Sequence, residues 1–264
     1  MNKAHGLLAL DLDGTSVADD YTMSQASRTA LAVARRNGWI TAFVTGRRDV
    51  DMINLEGAYE LVDYFVLNNG GKITRCNDHE VLYNDKVPEC AAKQLIQYCL
   101  DNNLSLHITD GDSWLVNKMT PDTEEYAEYL GVRPGVYRAL EELAFDGGIE
   151  AFTALEDWRP IAEYIENNLP EVVYTLSEPE CIDIMVKGTN KWDTIKRLME
   201  IEGIDVENVV AAGNYYNDLD MIRGAGIGIA VANAPGEVKS QADYVTTRTN
   251  NEDAIVEIVD RFCK

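Results

Sequence analysis

Two aspartates stand two residues apart where the first apolar segment of the chain ends. Residues 6–12 form a short, mostly apolar segment, which predicts a strand buried on both faces. Asp11 and Asp13 lie at the carboxyl end of this predicted strand. Because side chains at positions i and i+2 of a strand point to the same face, we expect the two carboxylates to converge. Close carboxylates repel each other unless a cation or a shared proton compensates, so the pair predicts a site for a hard divalent metal ion. A turn with two solvated acids is the alternative.

Further polar residues follow later apolar segments. Thr45-Gly46-Arg47 combine a hydroxyl, a glycine that permits close backbone approach and an arginine, which together suit an anion. Asn68-Asn69-Gly70-Gly71 end a third apolar segment, Lys191 begins a helical segment, and residues 213–218 offer two amides and a carboxylate. Each is also compatible with an ordinary turn, a solvated lysine or a helix cap. Open α/β sheets bind ligands outside the carboxyl ends of their strands. The recurrence of polar residues at predicted strand ends therefore indicates one site.

Hydrophobic periodicity predicts the elements that must position these residues. Near both ends of the chain, short apolar segments alternate with segments of helical spacing, which favours a parallel sheet with crossover helices. The predicted strands are residues 6–12, 39–44, 64–67, 206–212 and 226–230, and the predicted helices are residues 24–37, 49–55, 190–202, 217–224 and 252–262.

The middle of the chain has a different pattern. Residues 77–182 combine a predicted hairpin with predicted helices and strands that do not alternate regularly, as in an α+β domain. The sequence therefore predicts an α/β protein with a Rossmann-like, doubly wound parallel core. Residues 1–76 and 183–264 would form this core, and residues 77–182 would be a domain inserted into it.

The composition is that of a globular chain with a strong acidic excess. The 264 residues include 45 acidic and 23 basic side chains, which gives a formal net charge of −22. This charge repels phosphate backbones and acidic lipid surfaces, so nucleic acids and membranes are not expected as partners. Five scattered cysteines without a C-x-x-C pair argue against a disulfide framework or a zinc site, and the first apolar run is too short for a signal peptide. We expect a cytoplasmic protein, and the sequence favours neither a monomer nor a homodimer.

Four of these polar segments, taken in chain order, resemble the motifs of the haloacid dehalogenase-like hydrolases. The chain has D-L-D-G-T from Asp11, T-G-R from Thr45, the lysine Lys191, and G-N-Y-Y-N-D from Gly213. The insertion between the second and third motifs is similar to the C2-type cap of the Cof-like branch, and Asn69-Gly70 is typical of that branch. The characterised members of the branch are mostly phosphatases of sugar phosphates and other small phosphorylated metabolites. The resemblance thus implies a cap domain over residues 77–182 that sets substrate specificity.

The resemblance also implies a Mg²⁺-dependent phosphatase that acts through an aspartyl-phosphate. Asp11 would be the nucleophile, and Asp13 would protonate the leaving oxygen and then deprotonate the attacking water. Thr45 would hydrogen-bond a phosphoryl oxygen, and Lys191 would hold the negative charge of Asp11 and of the transferring group.

The remaining implied roles concern binding. The Mg²⁺ site would comprise Asp11, the backbone carbonyl of Asp13, the side chain of Asn214 and, through its hold on the loop, Asp218. The residues implied to bind the substrate are Gly46, Arg47, Asn69 and Asn217.

One position departs from the family pattern. Asn214 stands where the family usually has an aspartate. An amide oxygen can bind a hard cation but brings no charge, so we expect weaker Mg²⁺ binding. The departure leaves open a protein that binds a phosphorylated metabolite, or regulates a partner, without efficient turnover. A phosphomutase is a further alternative.

Overall fold

The structure, a computed structural model, describes residues 4–156, 158–178 and 180–264. Its strands, in chain order, are β1 (Gly6–Leu10), β2 (Trp39–Val44), β3 (Tyr64–Leu67), β4 (Lys72–Arg75), β5 (Val81–Asn84), β6 (Val87–Pro88), β7 (His107–Asp110), β8 (Ser113–Val116), β9 (Gly135–Val136), β10 (Gly148–Ile149), β11 (Ala151–Leu155), β12 (Val172–Glu178), β13 (Cys181–Val186), β14 (Val209–Gly213), β15 (Ile227–Ala230) and β16 (Tyr244–Val245). Its α-helices are α1 (Gln25–Arg36), α2 (Ala58–Leu61), α3 (Glu89–Asp101), α4 (Pro121–Leu130), α5 (Arg159–Asn168), α6 (Lys191–Glu202), α7 (Leu219–Gly224), α8 (Gly236–Lys239) and α9 (Ala254–Phe262).

The chain divides into two compact units. The first unit comprises Met1–Thr45, Asn54–Tyr83 and Asn190–Lys264, and the second comprises Gly46–Ile53 and Asn84–Thr189. None of the helices in the described ranges has the length and apolar character needed to span a bilayer.

The first unit is built on one eight-stranded sheet. The strand order is β16-β15-β14-β1-β2-β3-β4-β5, and the strands from β16 to β3 are parallel, whereas β4 runs antiparallel to β3. β1 is buried along its whole length because strands flank it on both sides and apolar side chains cover the sheet. The predicted α/β class is therefore confirmed, with a parallel sheet that becomes mixed at one edge.

The register of the central strands brings polar loops to the same edge of this sheet. Leu10 of β1 lies opposite Phe43 of β2 and opposite Ala212 of β14. The residues that follow these strands therefore leave neighbouring strand ends, at the edge where open α/β sheets bind ligands.

Local sequence signals explain where the helix that carries Lys191 begins and ends. The side chain of Asn190 caps α6 by accepting a hydrogen bond from the Asp193 backbone N–H at 2.8 Å. Gly203 ends the helix in the left-handed conformation that glycine adopts without strain. The predicted helix 190–202 agrees with this span. The predicted helix 217–224 is in fact a 3₁₀ turn, Tyr216–Asp218, followed by α7, and residues 49–55 form a 3₁₀ helix, Asp49–Asn54.

The second unit has its own sheet and core. Its six-stranded sheet has the order β12-β13-β11-β7-β8-β9, and β6 pairs with β10 beside it. Apolar residues of α3 and α5, among them Leu95 and Ile161, pack with Phe152 and Ile184 of the sheet. This mixture of antiparallel strands and helices is the α+β pattern expected for the insertion.

The unit boundaries differ from the predicted domain boundaries of 76/77 and 182/183. β5 joins the sheet of the first unit, so that unit extends to Tyr83. β13 pairs with β11 and β12 over its whole length, so residues 183–186 lie in the second sheet and the second unit extends to Thr189. Gly46–Ile53 belongs to the second unit because Val50 and Arg48 pack among its side chains. None of these three differences is visible in hydrophobic periodicity, because each depends on a pairing partner that is distant in sequence.

Candidate functional site

Asp11 is the centre of a buried ionic cluster in the first unit. It follows β1 directly, its backbone N–H donates to the Ala212 carbonyl at 2.9 Å, and only 5% of the residue is exposed. The Lys191 ammonium, from the first turn of α6, donates to Asp11 Oδ1 at 2.7 Å and to Asp218 Oδ1 at 2.5 Å. Both Lys191 and Asp218 are buried as well. One cation thus faces two carboxylates away from water.

This imbalance of charge shifts the pKa values within the cluster. Burial, followed by the Asp218 charge, raises the pKa of Asp11 to about 7, although the Lys191 ammonium opposes the shift. Burial alone would lower the pKa of Lys191, but the Asp11 and Asp218 carboxylates raise it above its usual value. Lys191 therefore stays charged, while Asp11 needs further positive charge to remain ionised.

Asp218 holds the loop that follows β14. Its Oδ2 accepts hydrogen bonds from the backbone N–H groups of Asn214 and Tyr215, at 2.8 and 3.0 Å. Because Oδ1 faces Lys191, both carboxylate oxygens are engaged by the protein. The structure thus places Asp218 in contact with Lys191 and the loop backbone, and only indirectly with Asp11.

Asn214 brings its side-chain amide to the loop of residues 11–15, which follows β1. One terminal atom of this amide lies 3.1 Å from Asp11 Oδ2, 3.0 Å from the Asp13 carbonyl oxygen and 3.1 Å from Thr15 Oγ1. With nitrogen at this position, the amide donates to the Asp11 and Asp13 oxygens. With oxygen there, the Asn214 oxygen lies about 3 Å from Asp11 Oδ2 and from the Asp13 carbonyl oxygen. This is the spacing of adjacent ligands in an octahedron with Mg–O bonds of about 2.1 Å. The donor set therefore fits Mg²⁺.

Two residues of the loop after β1, Thr15 and Gly14, fix this arrangement. Gly14 has φ +73°, and a Cβ there would lie 2.4 Å from the Asn214 amide, so the close approach requires glycine. The Asn233 amide donates to the Gly14 carbonyl at 2.7 Å. Sequence reasoning quoted Thr15 within its motif without assigning it a role and missed Asn233, for which no local signal exists.

Asp13 lies on the exposed side of the loop after β1. Its residue is exposed, in contrast to Asp11, and its charge contributes to the raised pKa of Asp11. Within the described residues, no group of three or more His, Cys, Asp or Glu side chains is arranged to hold a metal ion. A cation site at Asp11 would be of another kind, since its ligands would include an amide and a backbone carbonyl.

The loop after β3 connects the other motifs. The Asn69 N–H donates to the Thr45 carbonyl at 3.0 Å, and the Asn69 side-chain oxygen accepts from Asn217 Nδ2 at 3.2 Å. Asn68 and Asn69 both have positive φ, 54° and 53°, a conformation that costs free energy outside glycine. A Cβ at Gly70 would lie 2.4 Å from the Asn190 carbonyl oxygen, which explains the glycine beside the start of α6.

Thr45, Gly46 and Arg47 follow β2. Thr45 is buried in the first unit, where its N–H donates to the Val66 carbonyl at 2.9 Å. Gly46 and Arg47 belong to the second unit, and Arg47 Nη1 lies 3.5 Å from the Asp51 carbonyl oxygen. The structure thus brings together Asp11, Asp13, Lys191, Asn214 and Asp218, and separately Thr45, Asn69 and Asn217.

Comparison with known proteins agrees with this geometry. Residues 8–259 match the family model of the haloacid dehalogenase-like hydrolases. The HMP-PP phosphatase of Escherichia coli is 24% identical over 90% of this chain and 88% of its own length. A haloacid dehalogenase-like hydrolase from Bacteroides thetaiotaomicron superposes with a TM-score of 0.88 at 26% identity, over 97% of this chain and 98% of the other. A subclass IIB sugar phosphatase, at 23% identity over 97% and 98% of the two chains, shares the fold with a TM-score of 0.81.

These matches confirm the predictions of an α/β fold and of a haloacid dehalogenase-like hydrolase. Because the family model spans nearly all of the chain, including all four motifs from Asp11 to Asp218, this protein belongs to the haloacid dehalogenase-like hydrolases.

Proposed function

We propose that this protein hydrolyses a small phosphorylated metabolite in a Mg²⁺-dependent reaction that passes through a phosphoaspartate on Asp11. The observation that carries the proposal is the position of Asp11: Oδ1 contacts the Lys191 ammonium, and Oδ2 lies 3.1 Å from the Asn214 amide, which also contacts the Asp13 carbonyl. A carboxylate held between a buried cation and a set of oxygen ligands is suited to attack a phosphoryl group. An ion pair that serves only stability is expected to balance its charges, whereas this cluster has two carboxylates and one ammonium.

In the first step, the ionised Asp11 carboxylate attacks phosphorus, and the bond from phosphorus to the leaving oxygen breaks. Asp13, exposed at the same loop, donates its proton to that oxygen. Lys191 favours the ionised form of Asp11, together with the further positive charge that this carboxylate needs, and offsets negative charge as the new bond forms. Thr45 donates its hydroxyl hydrogen to a phosphoryl oxygen.

In the second step, Asp13 accepts a proton from a water molecule, which attacks phosphorus. The bond to Asp11 breaks, so inorganic phosphate leaves and both aspartates return to their starting states. The loop bonds from Asp218 to the backbone of Asn214 and Tyr215 hold the site in place through both steps. When bound by Asp11, the Asp13 carbonyl and Asn214, Mg²⁺ supplies positive charge that reduces repulsion between the carboxylate and the phosphoryl group.

The substrate class is proposed from charge and from relatives. A negative charge of −22 disfavours large polyanions, whereas a small phosphomonoester needs only the local positive charge at Asp11. The named relatives act on HMP-PP and on sugar phosphates, so both belong in the first panel of substrates. The second unit supplies the specificity for the leaving group.

The test compares the wild type with Asp11→Asn and with Asp220→Asn, an exposed aspartate on α7. We expect the wild type and Asp220→Asn to hydrolyse an aryl phosphate in Mg²⁺ but not in a chelator. Asp11→Asn should lose activity by at least about a thousandfold. Acid-quenched wild type should carry a phosphoryl group on the peptide that contains Asp11. Turnover in Asp11→Asn, or full activity in a chelator, would contradict the proposal.

A second candidate function rests on the Asn214 amide. With its nitrogen toward Asp11 Oδ2 and the Asp13 carbonyl, Asn214 satisfies both oxygens without a metal ion. A site that is complete in this state suits a protein that binds a phosphorylated metabolite without efficient turnover. In that case, calorimetry would detect equal affinity for a sugar phosphate in the wild type and in Asp11→Asn, with no phosphate released by either.

A further inference from the structure

The segment that follows Thr45 is anchored in the second unit. Gly46–Ile53 belongs to that unit, although the neighbouring residues Thr45 and Asn54 belong to the first. Val50 is buried in a cluster of the second unit with Trp114, Val116, Ala127 and Leu130. Substrate binding by Arg47 does not explain why the residues that follow it in this segment are buried.

Arg48 and Asp51 form a buried ion pair in this segment. Arg48 Nε and Nη2 donate to the two carboxylate oxygens of Asp51, each at 2.8 Å. The Tyr126 hydroxyl donates to Asp51 Oδ1 at 2.6 Å, and Arg48 Nη1 donates to Thr109 Oγ1 at 3.2 Å. The guanidinium carbon lies 5.8 Å from the Trp114 ring centre and 5.5 Å from that of Tyr126. We call these five residues the Arg48 cluster.

The cluster also holds the backbone beside Arg47. The Asp51 carboxylate accepts the Arg48 backbone N–H at 2.9 Å, and the Asp51 backbone N–H donates to the Arg48 carbonyl at 3.0 Å. The Asp51 carbonyl in turn lies 3.5 Å from Arg47 Nη1. Residues of one short turn thus hold the main chain that follows Arg47 and contact its guanidinium.

A need for stability alone explains this cluster poorly. Burial of an ion pair costs desolvation free energy, and well-packed apolar residues often stabilise a protein equally well or better. A bidentate arginine pair does, however, fix geometry, because both partners are planar and each bond is directional. Arg47 stands two residues after Thr45, so the extended chain limits the distance between their Cα atoms to about 7 Å.

We propose that the Arg48 cluster positions the Arg47 guanidinium to bind the phosphoryl group of the substrate, a role that rests on the proposed phosphatase function. Arg48, Asp51 and Tyr126 are then positioning residues that act through Arg47. Their effect on substrate binding should disappear once the Arg47 guanidinium is removed.

A double-mutant cycle tests this dependence. The proteins are the wild type, Arg47→Ala, Asp51→Asn and the double variant, each assayed for KM and kcat on an aryl phosphate and for the affinity of inorganic phosphate by calorimetry. We expect Arg47→Ala to raise KM about tenfold and Asp51→Asn about fivefold, with kcat within about twofold of the wild type. The double variant should match Arg47→Ala, because Asp51 acts only through Arg47.

Additive effects, near fiftyfold in the double variant, would overturn the proposal, as would an unchanged KM in Asp51→Asn. If none of the four proteins turns over substrate, the proposed function fails, and the same cycle in phosphate affinity still decides the role of Asp51. Tyr126→Phe, which keeps the Arg48–Asp51 pair, should raise KM about twofold and covers the case in which Asp51→Asn does not fold.

Ile165→Val is the matched control for general loosening of the second unit. Ile165 is buried in the apolar cluster of α3, α5 and the second sheet, whereas Val50 and Trp114 belong to a separate cluster. This variant should lower the melting temperature while leaving KM unchanged. A KM rise in Ile165→Val equal to that in Asp51→Asn would show that loosening alone explains the effect and would overturn the positioning role.

Discussion

A buried ionic cluster lies in each unit, and the two clusters differ in their balance of positive and negative charge. In the first unit, the Lys191 ammonium faces the carboxylates of Asp11 and Asp218. In the second, the Arg48 guanidinium faces one carboxylate, that of Asp51, and a tyrosine hydroxyl. The pKa values follow this difference. Burial, opposed only in part by Lys191, raises the pKa of Asp11 to about 7, whereas the Arg48 charge overcomes burial and lowers the pKa of Asp51.

The comparison shows how burial can serve either reactivity or geometry. A cluster with excess negative charge, such as that at Asp11, lowers the stability of the folded state but can take up a cation and a reacting group. A balanced cluster with nearly every donor and acceptor satisfied has no such capacity and holds its neighbours in place instead. His107, beside the Arg48 cluster, fits the second kind, since burial and the Arg48 charge lower its pKa to about 3 and keep it neutral.

The largest expected effect comes from removing the cation of each cluster in turn. Lys191→Met should lower kcat by about a thousandfold, because the Asp11 and Asp218 carboxylates would then share a buried site without a counter-charge and Asp11 would be protonated. Hydrolysis of an aryl phosphate in saturating Mg²⁺ measures the loss.

The equivalent change in the second unit, Arg48→Met, should act mainly on stability. It leaves the Asp51 carboxylate buried without its partner, which costs about 3 kcal/mol of unfolding free energy. Urea unfolding followed by circular dichroism measures this value. If Arg48→Met loses as much kcat as Lys191→Met, the contrast between a reactive and a positioning cluster is wrong.

The sequence predicted the first cluster far better than the second. Asp11, Lys191, Asn214 and Asp218 lie in motifs whose order resembles a known family, although Lys191 is 180 residues away from Asp11. The structure added details that no pattern contains, such as the use of both Asp218 oxygens by the protein.

The Arg48 cluster escaped sequence analysis for a physical reason. Arg48 contacts Thr109 and Tyr126, which are 61 and 78 residues away, and these contacts depend on how the second unit packs rather than on any local period. For the same reason, hydrophobic periodicity gives no sign that Gly46–Ile53 packs with the second unit. Hydrophobic periodicity reports which face of an element is buried, but not which unit buries it.

An intermediate effect should appear in the pH dependence of stability without metal ions. The folded state holds a proton on Asp11 up to about pH 7, whereas the unfolded chain releases it near pH 3.8. The unfolding free energy therefore falls as the pH rises between these values, by on the order of 2 kcal/mol from pH 5 to pH 8. Asp11→Asn should abolish this fall, which urea unfolding in a chelator can measure.

Asp51 gives the opposite sign. Its folded pKa lies below its unfolded value of 3.8, so its contribution is present at neutral pH and is lost as the pH falls below about 4. Asp51→Asn should therefore destabilise the protein at pH 7 and show a smaller penalty at pH 3. Parallel pH profiles for Asp11→Asn and Asp51→Asn would contradict the difference in charge balance between the clusters.

The smallest expected effect concerns Asn214 and sharpens the comparison by making the first cluster still more unbalanced. Asn214→Asp places a third carboxylate about 3 Å from Asp11 Oδ2 and the Asp13 carbonyl, and removes the N–H that can satisfy them. We expect Mg²⁺ to bind about tenfold more tightly in calorimetry, because a charged ligand replaces a neutral one. The metal-free protein should become less stable, because the new charge has no partner. Asn217→Asp adds the same charge to the same loop, where Asn217 contacts Asn69 rather than Asp11, and serves as the control. Equal tightening in both variants would assign the effect to the overall field, whereas unchanged Mg²⁺ affinity in Asn214→Asp would remove Asn214 from the cation site. Tightening confined to Asn214→Asp would instead show that this site keeps its cation affinity low through one neutral ligand.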